Sequence, residues 1–127
     1  HMHGELNKIH CKRTQRVYHW VDNLGMDHVC QCCGKAGNLR PHIVWFGEVP
    51  LLMEEIYGAL EHCGLFISIG TSGKVYPASG FVQVARQVGA KTVELNLDPS
   101  NTSSLFHQSF NGLASKIVPE FVEALLS

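Results

Sequence analysis

The alternation of apolar helix and strand signals from residue 53 onward is the feature that most limits how this chain can fold. The short apolar run Leu65–Ile69 has the length and composition of a buried strand, and Thr92–Leu97 is predicted as a second strand. Segments with apolar residues at helical spacing alternate with them, and one of these segments ends at Gly89, a residue type that commonly terminates helices. The predicted elements are, in chain order, a helix over 53–62, a strand over 65–69, a helix over 81–88, a strand over 92–97, and a helix over 118–126 with Pro119 in its first turn. Elements in this order form a parallel sheet with right-handed crossovers, so the sequence predicts half of a Rossmann-like sheet of the α/β class.

Residues 5–38 differ in composition from the rest of the chain, because they are mostly polar and carry four of the five cysteines. Neither a helical nor a strand period runs through them for long. Such a short polar segment buries little apolar surface and needs an additional crosslink, such as a bound metal ion, to fold. The sequence therefore predicts two domains, a small zinc-binding module over 5–38 and an α/β part over 39–127.

Composition bears on partners and location. The net charge is -1 and no basic stripe is present, so we expect no nucleic-acid partner. No apolar run approaches the roughly 20 residues of a membrane span, and no signal peptide is evident, so we expect no membrane partner. Five cysteines, three of them within Cys30–Cys33, make a poor disulfide framework. They suit a reducing compartment, and the expected location is the cytoplasm.

A candidate metal site lies among these cysteines. Cys30 and Cys33 form a C-x2-C pair followed by Gly34, a turn that can place two thiolates on one ion, and Cys11 lies upstream. The usual spacing would place the partner of Cys11 at position 14, which is Thr14. The fourth ligand must then come from elsewhere: Cys32 is closest in sequence, and His10 and His28 are alternatives. The competing interpretation is a loop with free thiols. For the remaining cysteine, Cys63, we expect a thiol packed in the core.

Small and polar residues follow both predicted strands. Gly70-Thr71-Ser72-Gly73 comes directly after the first strand, and Asn96-Leu97-Asp98 ends the second. Ligands of open α/β sheets bind beyond the carboxyl ends of the strands, where amides, hydroxyls and a carboxylate can contact phosphate or ribose. These segments therefore indicate a nucleotide site. The alternatives are an ordinary strand-to-helix turn and a capping turn, and no G-x-G-x-x-G motif is present.

Leu39–Glu48, with the sequence LRPHIVWFGE, mixes charge, two aromatic residues and glycine in a way that core packing does not explain. This segment closely resembles the one that follows the zinc module of sirtuins, in the form carried by class III members and their bacterial relatives. The order and spacing of further motifs agree over essentially the whole chain. They are Met2-His3-Gly4, the cysteines at 11, 30 and 33, Gly70-Thr71-Ser72, Asn96-Leu97-Asp98 and Gly112-Leu113-Ala114-Ser115.

The resemblance implies a C-terminal portion of an NAD-dependent protein-lysine deacylase, containing the second half of the Rossmann-like sheet and a zinc-ribbon-like module. In that reaction the acyl oxygen attacks the ribose as nicotinamide leaves, and the products are free lysine, nicotinamide and O-acyl-ADP-ribose. His3 would be the general base on a ribose hydroxyl, a role that suits a side chain able to exchange a proton near neutral pH. The resemblance further implies an acyl-lysine substrate wall at Val44, Trp45, Phe46 and Gly47, zinc on Cys11, Cys30 and Cys33, and NAD contacts at Gly70, Thr71, Ser72, Asn96, Leu97, Asp98 and Ala114. For the fourth zinc ligand, which the resemblance does not supply, we take Cys32, the nearest of the candidates above.

Two departures from the family pattern stand out. Thr14 replaces an expected zinc cysteine, and the family's upstream phosphate loop and acyl-selecting residues are absent from these 127 residues. We therefore expect a truncated chain that is inactive alone. The alternative functions are a non-catalytic zinc-containing interaction module on an α/β scaffold and another nucleotide-using transferase with the same half-sheet.

Overall fold

The computed structural model describes all residues from His1 to Ser127. The chain divides into two compact units, His1–Glu54 and Glu55–Ser127. Compactness alone does not test the predicted domain boundary between residues 38 and 39, which stays a prediction. No helix has both the length and the apolar character that a membrane crossing requires.

The first unit contains an antiparallel sheet of three strands in the order β2-β1-β3. The strands are β1 (Gly4–Cys11), β2 (Val17–His19) and β3 (Leu39–Ile43). β1 pairs with β3 at both of its ends, from Gly4 opposite Ile43 to Cys11 opposite Leu39, and the register shifts between Glu5 and Ile9. β1 and β2 were not predicted from the sequence. Only Ile9 and Cys11 of β1 are buried, and apolar and polar residues do not alternate regularly along the strand.

The second unit contains a parallel sheet of three strands in the order β4-β5-β6. Its elements are β4 (Leu65–Ile69), α2 (Phe81–Gln87), β5 (Lys91–Asn96), β6 (Gln108–Asn111) and α3 (Ala114–Leu126), preceded by α1 (Met53–Glu61). The α/β class and the parallel pairing are confirmed, and the elements predicted between residues 53 and 97 agree with the structure to within one residue at every end.

The middle strand, β5, forms the centre of this unit. Val93 and Leu95 are almost completely buried, and Thr92 and Glu94 on the opposite face have no exposed surface. Phe81, Val82 and Ala85 of α2 are also buried. A strand buried on both faces is typical of a parallel sheet, so the carboxyl end of β5 is held firmly in place.

The predicted start of the last helix is wrong. α3 begins at Ala114, so Pro119 lies inside the helix and not in its first turn. The helix begins earlier because the main-chain N–H groups of Lys116 and Ile117 both donate to Leu113 O, 2.9 and 3.0 Å away. A proline one turn further in removes one main-chain hydrogen bond of the helix, a loss that the flanking turns tolerate here.

Candidate functional site

His3 lies directly beside the segment predicted to form the substrate wall. The main-chain N–H of Val44 donates to His3 O at 2.9 Å, and Leu51 N–H donates to Met2 O at 2.8 Å. The His3 side chain is exposed. The first unit therefore brings together the predicted general base and the first residue of the predicted substrate segment, through main-chain contacts alone.

Gly4 makes this close approach sterically feasible. Its φ is +83°, and a Cβ atom at this position would lie 2.0 Å from His42 O and 2.7 Å from Ile43 Cα. Real Cβ atoms do not approach backbone atoms so closely. The close pairing of β1 with β3 therefore requires a glycine directly after His3.

The predicted substrate segment, Val44–Gly47, is stabilised by two charged side chains at its flanks. The Arg40 guanidinium donates two hydrogen bonds to the Glu48 carboxylate, at 2.6 and 3.1 Å, and a third to Ile43 O at 3.1 Å. It also lies over the Trp45 ring, 4.2 Å from the ring centroid. Glu48 in turn accepts a hydrogen bond of 3.0 Å from Trp45 N–H. The Arg40 hydrogen bonds are the main cause that lowers the pKa of Glu48 to about 2.

This clamp, formed by Arg40 and Glu48, leaves the tip of the segment free. Phe46 is 100% exposed and Trp45 is 54% exposed. Gly47 adopts φ +88°, and nothing lies within 4 Å of the Cβ that another residue would have there. The segment is thus fixed at both ends while its aromatic side chains and its outer surface remain open to a partner.

Four cysteine sulfurs form a cluster in the first unit. The Sγ atoms of Cys11, Cys30, Cys32 and Cys33 all lie within 4.8 Å of one another. A tetrahedral zinc ion with bonds of about 2.3 Å holds its sulfur ligands about 3.8 Å apart. Cys11 Sγ and Cys33 Sγ lie 3.8 Å apart, and Cys30 Sγ and Cys32 Sγ lie 3.3 Å apart. The donor set and its spacing therefore fit a zinc ion with only small adjustments.

The other candidates for the fourth ligand lie outside this cluster. His10 Nδ1 contacts His42 Nδ1 at 3.3 Å, and His28 Nδ1 accepts a hydrogen bond from Gly25 N–H at 2.8 Å. Thr14 approaches the cluster, with its Oγ1 2.9 Å from Cys32 Sγ. Cys63, predicted as a core thiol, is only partly buried and lies apart from these four.

The environment of the thiols affects their protonation in opposite directions. The Thr14 hydroxyl is the main cause that lowers the pKa of Cys32 and that lowers the pKa of Cys11 to about 6. Burial raises the pKa of Cys30 to about 11. Since a zinc ligand must be a thiolate, hydrogen bonding from Thr14 favours the ligand form of Cys32 and Cys11.

In the second unit, the loop Gly70–Gly73 is tied to the neighbouring strand end by its own main chain. Gly70 N–H donates to Leu95 O at 3.0 Å, and Asn96 Nδ2 donates to Thr71 O at 2.6 Å. The main-chain N–H of Asn101 donates to Ser72 O at 3.1 Å. Gly70, Thr71 and Ser72 are exposed. The loop therefore presents small residues to solvent with a fixed backbone, which is what close approach of a phosphate or ribose requires.

The other predicted nucleotide contacts lie along the same edge of the sheet. Asn96 ends β5, and Leu97 and Asp98 follow it with exposed side chains. Gly112 N–H donates to Asn96 O at 3.0 Å, which brings the start of α3 to this edge. Ala114 is the first residue of α3, and no side chain caps that terminus, so its first N–H groups remain free to bind an acceptor.

A polar network under this edge was not predicted from the sequence. Glu94 is fully buried, and one of its carboxylate oxygens accepts a hydrogen bond from Ser103 Oγ, while the other has no partner. Ser103 also contacts Ser100 Oγ at 3.4 Å. The network holds the turn whose Asn101 supports the loop Gly70–Gly73. A glutamate between Val93 and Leu95 of a predicted strand was the only sequence signal.

These features identify the class of protein. A family model described as "SIR2: Sir2 family" matches residues 1–77, more than half of the chain, so the chain belongs to the Sir2 family. An NAD-dependent protein deacylase from Yersinia pestis is 53% identical over 127 residues, which is 100% of this chain and 46% of that protein. The deacylase of the same name from Escherichia coli strain K12 is 53% identical over 126 residues, covering 99% of this chain and 45% of that protein.

Solved structures of the family have the same fold. A Sir2 homolog in complex with NAD gives a TM-score of 0.85 at 26% identity, with 98% of this chain and 49% of that chain covered. Sir2Af2 bound to a myristoylated histone peptide gives a TM-score of 0.75 at 29% identity, with 96% and 54% covered. The chain spans about half the length of the relatives and structures that it matches.

Proposed function

We propose that the protein to which this chain contributes removes acyl groups from protein lysines and consumes NAD, releasing nicotinamide and O-acyl-ADP-ribose. The observation that carries this proposal is the main-chain bond of 2.9 Å between Val44 N and His3 O, together with the Gly4 contact that makes it sterically feasible. It places a candidate proton acceptor next to a candidate peptide-binding segment.

In this proposal His3 acts as the general base. Its exposed imidazole can accept a proton from a ribose hydroxyl of the bound nucleotide, which lets that oxygen attack the acyl carbon. The main-chain bond to Val44 fixes the backbone of His3 and leaves its side chain free to make this contact.

Val44, Trp45, Phe46 and Gly47 form the substrate wall in this proposal. An extended segment can bind a peptide as an added strand, through main-chain hydrogen bonds that read sequence weakly. The clamp of Arg40 and Glu48 holds the segment before a substrate arrives, which reduces the conformational entropy lost on binding. Acyl-lysine proteins or peptides are the proposed partners.

NAD is the proposed co-substrate, and its contacts are Gly70, Thr71, Ser72, Asn96, Leu97, Asp98 and Ala114. The loop Gly70–Gly73 and the free N–H groups of α3 can donate hydrogen bonds to phosphate or ribose oxygens. Asp98 can accept hydrogen bonds from ribose hydroxyls. The carboxyl-end position of these residues on three adjacent parallel strands supports this assignment.

Cys11, Cys30, Cys32 and Cys33 are the proposed zinc ligands. Four protein ligands leave no open coordination position, so zinc here would hold the fold and take no part in the chemistry. Four thiols that must stay reduced to bind zinc also support a cytoplasmic location, which we propose on that ground.

The test joins this chain to the part of the Yersinia pestis relative that the match leaves uncovered. The joined protein should release nicotinamide from NAD only when an acyl-lysine peptide is present, and the 127-residue chain alone should not. His3→Tyr should abolish turnover and leave ADP-ribose binding unchanged. Unchanged turnover in this variant would remove His3 from the mechanism.

The same assay separates the competing functions. Binding of ADP-ribose by the joined protein argues against a non-catalytic zinc-containing interaction module. Nicotinamide release that does not depend on acyl-lysine peptide would instead favour a different nucleotide-using transferase.

A further inference from the structure

The position of Thr14 is explained by a second turn of the same construction as the Cys30–Cys33 turn. In the Cys30–Cys33 turn, Gly34 N–H donates to Cys30 O at 2.8 Å, and Gly34 adopts φ +67°. In the other turn, Gln15 N–H donates to Cys11 O at 2.8 Å, and Gln15 adopts φ +60°. Each turn begins at a cysteine of the cluster. Thr14 therefore occupies in the first turn the place that Cys33 occupies in the second.

The turn over residues 11–16 holds Thr14 rigidly. Cys11 N–H donates to Arg16 O at 3.0 Å, and Gln15 Nε2 donates to Lys12 O at 3.0 Å. A non-glycine residue with positive φ is unfavourable and persists only where its surroundings enforce it. Gln15 nevertheless adopts almost the same φ as Gly34, so the turn keeps the main-chain shape of the Cys30–Cys33 turn with threonine in place of its second cysteine.

The Thr14 hydroxyl lies 2.9 Å from Cys32 Sγ. A thiolate bound to a metal carries no proton, so the hydroxyl must donate in this contact. Thr14 Oγ1 can at the same time accept from Arg16 N–H, 3.4 Å away. A neutral hydroxyl is not among the usual zinc ligands, whereas donors to a ligand atom orient it and tune its affinity.

We propose that Thr14 is a positioning residue for the metal. Its hydroxyl holds Cys32, and Cys32 supplies the fourth sulfur that a cysteine at position 14 would otherwise supply. The proposal rests on the proposed zinc site. The proposal explains why Cys30, Cys32 and Cys33 form a C-x-C-C pattern. Cys30 and Cys33 are the two cysteines of their own turn, and Cys32 replaces the second cysteine that the Cys11 turn lacks.

Two measurements on the purified chain test this. The first is the dissociation constant for Zn²⁺ and Co²⁺, from competition with a chromophoric chelator at fixed pH. The second is the intensity of the sulfur-to-Co²⁺ charge-transfer absorption, which increases with the number of bound thiolates. Neither measurement depends on enzymatic activity.

Thr14→Val, which removes the hydroxyl and keeps the shape, should weaken binding about tenfold, at the low end of the 10- to 100-fold range for such donors because Thr14 is exposed. Thr14→Ser should bind like the unaltered chain. Thr102→Val, the same change in the second unit, is the matched control and should have no effect. Equal affinity of Thr14→Val and the unaltered chain, or an equal loss in Thr14→Ser, would overturn the proposal.

A rescue experiment addresses the substitution of one sulfur for another. Cys32→Ala should weaken binding and reduce the charge-transfer absorption to that of three thiolates. Adding Thr14→Cys to this variant should restore both, because the new sulfur stands where Cys33 stands in its own turn. Failure of this rescue in a folded chain would contradict the equivalence of the two turns. If the unaltered chain binds neither ion, the zinc site itself is wrong, a result distinct from a failure of the Thr14 role.

Discussion

Replacement of Gly4 by alanine tests the contact on which the candidate catalytic arrangement depends. The new Cβ would lie 2.0 Å from His42 O, so β1 and β3 would have to separate at this point. Three hydrogen bonds are anchored there: Gly4 N to His1 O, Val44 N to His3 O, and Leu51 N to Met2 O, at 2.9, 2.9 and 2.8 Å. The substitution therefore acts on the fold and on the position of His3 together.

The expected magnitude has two parts. A positive φ costs an alanine about 1–2 kcal/mol. Each of the three lost hydrogen bonds adds about 1 kcal/mol, so we expect Gly4→Ala to lower the free energy of unfolding by about 4–5 kcal/mol in all. Gly47→Ala is the matched control, because Gly47 has φ +88° but nothing within 4 Å of its would-be Cβ. It should show only the part due to φ, about 1–2 kcal/mol.

Urea denaturation followed by tryptophan fluorescence measures both variants in the same unit, since the two tryptophans, Trp20 and Trp45, both lie in residues 1–54. Hydrogen exchange of the Val44 N–H gives a local measure: its protection should fall in Gly4→Ala and persist in Gly47→Ala. If the two variants were destabilised equally, to within about 0.5 kcal/mol, the close approach at Gly4 would not contribute to stability and the reasoning would be refuted.

Three further predictions concern the clamp, the nucleotide edge and the metal. The pKa of Glu48 is lowered from 4.5 to about 2, so the Glu48 carboxylate should stabilise the fold above pH 4.5 and lose this effect as the pH falls toward 2. The difference in urea midpoint between the unaltered chain and Glu48→Gln should therefore shrink over that range. A difference that does not change with pH would contradict this prediction. Asn96→Ala removes the 2.6 Å hydrogen bond to Thr71 O and should weaken ADP-ribose binding to the joined protein roughly fivefold by calorimetry, whereas Asn101→Ala, which keeps its main-chain N–H, should not. Chelation of the metal should lower the urea midpoint reported by tryptophan fluorescence, and added Zn²⁺ should restore it; an unchanged midpoint would show that the four thiols do not stabilise the unit.

The elements that could be predicted from the sequence are those in which local pattern and burial agree. β4 is a short apolar run that ends before Gly70, and β5 places Val93 and Leu95 at strand spacing and ends at Asn96; the structure buries β5 on both faces. β6 could not be predicted in this way, because all four of its residues are exposed and none forms an apolar run. Its strand conformation comes from pairing with β5, from Val93 opposite Gln108 to Asn96 opposite Asn111. An edge strand determined by its neighbour leaves almost no local signal.

The candidate sites also contain some features that could be predicted from the sequence and others that could not. The cysteines and the strand-end loops were predictable from residue type and spacing. The Arg40–Glu48 clamp was not, since the two residues are eight positions apart and meet only because the chain turns back at Gly47. The buried Glu94 was not predictable either, since its partner Ser103 lies beyond the strand in a separate turn.

Main-chain hydrogen bonds hold the predicted functional positions in both units. His3 O, Ser72 O and Asn96 O each accept from a main-chain N–H of a neighbouring strand or loop, Thr71 O accepts from the Asn96 side chain, and Asn96 O also accepts from the Asn111 side chain. A backbone held in this way keeps its geometry when the side chain at the same position changes. Substitutions at His3 or Ser72 should therefore alter chemistry with little loss of stability, whereas substitutions at Gly4 or Asn96, which make the geometry, should alter both. That contrast separates residues that perform a reaction from residues that position it, and it can be measured in each unit independently.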